Sequence, residues 1–141
     1  MLRTSVSHRF AVPADKLWDL IGDFGNMQKW TGGKPESCVQ EGEGVGSLRR
    51  LTLADGRVIV DRLEATAERS YTYSIVTSPL PYKSYRATMQ VAAVDETTSE
   101  LTWTGEFEPV GLTDDEAIAA TKGMYHYGIS LMEKSVLRMT R

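Results

Sequence analysis

One long amphipathic helix, placed after an almost unbroken succession of strand-like stretches, constrains this chain more than any other feature. It opens at Thr113, where Thr113 and Glu116 have the Thr-x-x-Glu spacing of a capping box, and it continues almost to the C-terminus. A lone helix with one apolar stripe must bury that stripe, and the partner the rest of the chain offers is a long curved sheet. A helix laid across such a sheet closes over whatever space lies between them. The stripe reads Ala117, Thr121, Met124, Tyr125, Gly128, Leu131, Met132, Ser135, Val136 and Met139, recurring every three or four residues. It is soft and partly polar rather than plain leucine. Met fills irregular space, Tyr carries a hydroxyl, and mid-helix glycine costs about 1 kcal/mol against alanine while leaving room for a side chain. A simple core helix would show the same periodicity, so the stripe alone leaves both a lid and a core helix open.

Upstream, residues 2–11 alternate, with Leu2, Thr4, Val6, His8 and Phe10 on one face, and read as a first strand. Pro13 suits the first turn of a helix whose apolar face is Leu17, Trp18, Ile21 and Phe24. Gly22 and Gly25 then break it ahead of a turn over residues 26–30. Six more strands are predicted at residues 36–41, 47–53, 57–67, 70–77, 84–94 and 100–108, separated by Gly, Asp or Pro signals. Seven strands with helices segregated to one side make an α+β arrangement in which the sheet curls around the last helix. With 141 residues, no internal repeat and no low-complexity linker, the chain reads as one domain over residues 1–141.

Composition removes several function classes. A formal charge of −3 and a pI near 5.4 provide no basic field for phosphate backbones, so no nucleic-acid partner is expected. No apolar run approaches the roughly 18 residues of a membrane span. The single cysteine, Cys38, excludes an internal disulfide and has no basic neighbour in sequence, so it is expected to be a passive strand residue. No cleavable apolar leader follows Met1-Leu2-Arg3, and a cytoplasmic location is expected. His8 and His126 are isolated, which leaves zinc without a ligand set, and neither a metal nor any other cofactor is expected. Gly42-Glu43-Gly44-Val45-Gly46 lacks the Gly-Lys-Ser/Thr ending of a phosphate loop and runs into a strand, so it is a turn. Asp114, Asp115 and Glu116 sit in a first helical turn, where the dipole favours acidic residues.

The connection Ala54-Asp55-Gly56 sets a hairpin register. A three-residue loop with Gly56 in the left-handed position pairs Leu53 with Arg57, Leu51 with Ile59 and Arg49 with Asp61; a two-residue turn sets Arg50 opposite Asp61 instead. Either register puts an arginine beside that carboxylate. Alternation also groups Tyr71, Tyr73 and Ile75 on one face and Leu101, Trp103, Gly105 and Phe107 on another, both candidate inner walls. The phase of the strand at 84–94 stays open, because Tyr85, Ala87, Met89 and Val91 alternate but a bulge after Pro81 would turn Ser84 and Arg86 inward. The loop at 77–82 is either a gate over a pocket or a rigid connection stiffened by Pro79 and Pro81.

The order strand, two short helices, six strands and long helix resembles the helix-grip superfamily. So do the segments Pro13-Ala14-Asp15-Lys16-Leu17-Trp18, Asp23-Phe24, Trp30, Gly44-Val45-Gly46-Ser47-Leu48-Arg49 and Trp103-Thr104-Gly105-Glu106-Phe107. Within it the chain looks like the bacterial polyketide cyclase/dehydrase-like proteins, relatives of the START lipid-binding proteins, the birch-pollen allergens and the plant abscisic acid receptors. The resemblance implies a sheet wrapped around the last helix with an apolar pocket between them, and it favours the register that turns Arg49 and Asp61 inward. It implies a hydrophobic or amphipathic small molecule as ligand, such as a lipid or polyketide. The expected ligand-binding residues are Trp30, Arg49, Leu51, Ile59, Asp61, Leu63, Tyr73, Trp103, Phe107, Tyr125, Gly128 and Met132. The alternative is a cyclase or dehydratase with Asp61 and Arg49 as catalytic candidates. Pairing with arginine is expected to lower the Asp61 pKa and weaken it as a base. A homodimer is left open.

Overall fold

The computed structural model describes residues 1–32 and 37–139. Seven strands, β1 (Leu2–Phe10), β2 (Ser37–Glu41), β3 (Leu48–Thr52), β4 (Val58–Ala67), β5 (Ser70–Thr77), β6 (Tyr82–Ala93) and β7 (Ser99–Pro109), form one antiparallel sheet in the order β1-β7-β6-β5-β4-β3-β2. Glu36, the expected first residue of the second strand, lies outside the described residues. Between β1 and β2 come two short helices, α1 (Ala14–Ile21) and α2 (Gln28–Thr31), and after β7 the long α3 (Asp114–Met139). This is the α+β helix-grip arrangement.

The predicted capping box forms: the Thr113 hydroxyl accepts from the Glu116 N–H at 3.2 Å and the Glu116 carboxylate accepts from the Thr113 N–H at 2.9 Å. Downstream, α3 buries Ala117, Thr121, Tyr125, Gly128, Ile129, Met132, Ser135 and Val136. Two residues depart from the expected stripe. Ile129, outside that stripe, is buried, and Met139, within it, is exposed.

The contacts of α3 concentrate on β1, β7 and α2. The Ser135 hydroxyl donates to the Trp30 carbonyl at 3.1 Å, and His8 of β1 meets Glu133 at 2.9 Å. The helix therefore rests on one side of the sheet, while β3, β4 and β5 curve away from it. Irregularities in the β4–β5 pairing at Val60/Asp61 and Leu63/Ala65 supply that curvature, as bulges bend and twist the strand that carries them.

The open phase of the sixth strand resolves in favour of Tyr85, Ala87, Met89 and Val91 facing the core, with Arg86 exposed. A register shift does occur near Pro81, between Tyr82 and Ser84. Its effect is to start the strand earlier than expected and turn Tyr82 toward α3, where its hydroxyl meets that of Thr121 at 2.7 Å.

Candidate functional site

The Ala54-Asp55-Gly56 loop decides what faces inward. Gly56 has φ of 88°, the left-handed conformation that glycine adopts without steric cost, and the Leu53 N–H donates to the Arg57 carbonyl at 2.8 Å. The three-residue loop is thus the one present, and Arg49 pairs with Asp61 and Leu51 with Ile59. Both members of the ion pair are inside: their side chains are 3% and 4% exposed.

Arg49 is held on all sides. Its Nε and Nη2 donate to the same Asp61 oxygen, Oδ2, at 3.1 and 2.6 Å, and its Nη1 donates to the Phe24 carbonyl at 3.2 Å. The guanidinium carbon lies 4.4 Å from the Phe24 ring centroid and 5.2 Å from that of Tyr73, so the cation has aromatic faces as well as a counter-ion. Burial works against the charge on Arg49, but Tyr71, Asp61 and Tyr73 outweigh it and its pKa is raised further, so the guanidinium stays charged.

Asp61 departs from expectation. Burial pushes its carboxyl above the usual carboxylate value, and the attraction of Arg49 offsets this only in part. Pairing alone favours the opposite direction; the desolvation that complete burial brings reverses it.

The pair sits in the wall of a partly open cavity of about 370 Å³ between the curved sheet and α3. Of the expected ligand-binding residues, Trp30, Arg49, Leu51, Ile59, Asp61, Tyr73, Trp103 and Gly128 line it. Four do not. Leu63 faces a smaller hollow of about 140 Å³ with Trp18, Phe24 and Tyr71. Phe107 is enclosed by Tyr82 and Tyr85, and Met132 is fully buried in the core. Tyr125 lies flat against Trp103, with ring centroids 4.3 Å apart and planes inclined by 14°, and its hydroxyl contacts that of Tyr85. Any side chain at Gly105 would strike the Tyr125 hydroxyl, so that glycine makes the seat for it.

Gly128 has a different neighbourhood from the expected vacancy. A Cβ there would come 2.9 Å from the Trp103 ring, so the indole edge occupies much of the notch that the missing side chain leaves. The remaining lining lies outside the expected ligand-binding set: Ile75 comes from a candidate inner wall, Met124 and Leu131 come from the α3 stripe, and Met27, Thr31, Leu53, Leu80, Tyr85 and Tyr127 complete it. Tyr127 carried a usable signal. Residues 124, 127, 128 and 131 follow the i, i+3, i+4, i+7 pattern of a second stripe beside the core stripe, and it is this flank of α3 that faces the cavity.

A chain of hydroxyls runs from the cavity into the core. The Trp103 Nε1–H donates to the Tyr73 hydroxyl at 3.3 Å, and the Tyr73 and Tyr85 hydroxyls are 3.5 Å apart. Burial raises the pKa of Tyr73, Tyr85 and Tyr125, so all three stay protonated at neutral pH and act as hydrogen-bonding phenols. Trp30 Nε1 is a buried donor without a partner among the described residues. Among those residues no group of three or more His, Cys, Asp and Glu could hold a metal ion, and no helix is long and apolar enough to cross a membrane.

Comparison with known proteins agrees with the architecture. A family model for "Polyketide cyclase / dehydrase and lipid transport" matches residues 1–136. Among solved structures, the protein XoxI from Bacillus cereus is 33% identical, with 100% of this chain and 99% of that one covered and a TM-score of 0.86. Two more distant structures share the fold. A START superfamily protein from Mycobacterium smegmatis is 10% identical over 97% of this chain and 98% of that one, with a TM-score of 0.82. Norcoclaurine synthase from Thalictrum flavum, solved with dopamine and hydroxybenzaldehyde, is 16% identical over 97% and 88%, with a TM-score of 0.71. No curated protein matches this chain.

Proposed function

For this chain, which belongs to the polyketide cyclase/dehydrase and lipid transport family, we propose that the cavity between the curved sheet and α3 binds a hydrophobic or amphipathic small molecule. The observation that carries this reading is an apolar-walled space of about 370 Å³ with one buried ion pair in its wall. Small-molecule sites combine these two elements, apolar surface for affinity and a few polar groups for orientation. A volume near the low end of the roughly 300–1,000 Å³ range for such sites suits a compact ring system or a single chain. Leu51, Ile59, Ile75 and Trp103 supply the apolar surface, and Arg49 with Asp61 takes the polar end.

Catalysis is the second reading, and one observation favours it. An Asp61 carboxyl raised by burial is a better base than a simple ion-paired aspartate, and the Tyr73 phenol beside it could donate to a developing enolate. A like-folded enzyme, norcoclaurine synthase, holds two small aromatic molecules in its structure.

Native mass spectrometry of the protein purified from its own host tests the binding reading. The expected result is a second species heavier by one small molecule, which organic extraction removes. A single unliganded mass, together with no uptake of hydrophobic compounds by the purified protein, would overturn it. Recovery of the added compound in chemically altered form would select the catalytic reading.

A further inference from the structure

One polar group in the cavity wall is only half used. Both hydrogen bonds from the Arg49 guanidinium to Asp61 land on Oδ2, so Oδ1 receives none from its ion-pair partner. A polar group left without a partner in a largely apolar wall is costly, and a ligand that completes it gains that free energy on binding. Oδ1 requires a donor.

The charge balance of the wall adds a second constraint. Arg49 is the only cationic side chain lining the cavity among the described residues, and Asp61 already neutralises it at 2.6 Å. A carboxylate brought to this wall would have to displace Asp61 from the guanidinium or lie beside it as a second buried anion. Like charges in a dry site carry a large penalty. An uncharged hydroxyl meets neither obstacle and offers the donor that Oδ1 lacks.

Building on the cavity as a binding site, we propose that Asp61 is its specificity-determining residue. It admits neutral hydrophobic molecules that carry a hydroxyl, and it rejects hydrophobic carboxylates such as fatty acids. Asp61 thereby does the opposite of what the nearby arginine alone would do, because a lone buried guanidinium would select an anion.

Three probes of one shape test this by NMR titration of the whole protein: biphenyl-4-ol, 4-methoxybiphenyl and biphenyl-4-carboxylate. The phenol is expected to bind roughly tenfold tighter than the methyl ether, which cannot donate, and the carboxylate weakest of the three. In Asp61→Asn, whose amide oxygen can still accept from Arg49, the order should invert, with the carboxylate becoming the tightest. Equal affinities in the wild type, or a carboxylate preferred there, would overturn the inference while leaving the cavity as a binding site. Failure of all three probes to bind would bring down the binding site and the inference together. If Asp61→Asn does not fold, the wild-type ranking decides alone.

Discussion

Two sides of the same sheet use the same alternation of apolar residues and end differently. Under α3 and α1, Phe10, Met89, Val91, Leu101 and Phe107 are almost completely enclosed and share one core with Leu17, Ile21, Met132 and Val136. On β3, β4 and β5, Ile59 and Ile75 remain half-buried beside open space, and Arg49 and Asp61 stand among them. Apart from that ion pair, residue type does not separate the two regions. The position of α3 does, because it packs closely on β1 and β7 and stands across a cavity from the curving half of the sheet. A helix that stands off from part of a sheet thus leaves space between residues that would otherwise close on one another.

The largest expected effect comes from the packed side. Phe107→Ala should cost about 3–5 kcal/mol by leaving a void among Tyr82, Tyr85 and the core, read as a fall in the urea midpoint. A loss below about 1 kcal/mol would mean that this side is not better packed than the cavity side.

Asp61→Ala comes next. Sequence alone leads one to expect that it alters ligand binding more than stability. With both partners inside, the variant strands a buried arginine and should cost about 3–5 kcal/mol in the same assay. The pH dependence has a definite sign. Because the folded-state pKa of Asp61 is raised, its contribution is fully present below the unfolded value of about 3.9 and is lost as pH rises through the folded value. Measured against Asp61→Asn from acid to neutral pH, the wild type should lose ground as pH rises; a gain would mean that the ion pair outweighs burial.

Gly128→Leu places a side chain against the Trp103 ring and should cost roughly 1–3 kcal/mol by overpacking while abolishing ligand uptake. Unchanged uptake would move the binding space away from this flank of α3. The smallest change in stability is expected on the cavity side. Ile59→Ala should cost only about 1–2 kcal/mol, the low end for such truncations, since its side chain already borders open space. Ligand affinity should fall all the same, and a full core-sized loss of stability would show that Ile59 is packed rather than exposed to a cavity.

Much of this was legible from residues in order. The capping box at Thr113 and Glu116, the seven strands and an arginine beside Asp61 follow from short-range rules, whereas the choice of Arg49 over Arg50 rests on the family resemblance, and the loop closed by Gly56 agrees with that choice. What stayed hidden depends on three-dimensional offsets of a few ångströms. Leu63 shares its alternation with Asp61 and no register irregularity lies between them, yet two residues further along β4 it faces the smaller hollow. Tyr125 and Gly128 are one helical turn apart, yet one is sealed by Trp103 and the other borders the cavity. The direction of the Asp61 shift required knowing how completely the pair is buried, which no pattern of charges along the chain reveals.

The most direct test of the division between the two sides is a set of intermolecular NOEs between bound biphenyl-4-ol and methyl-labelled protein. Contacts are expected from the methyl groups of Leu51, Ile59, Ile75 and Leu131, and none from Val91, Leu101 or Val136. Contacts from the second group without the first would contradict the account, because the ligand would then lie in what is described as solid core.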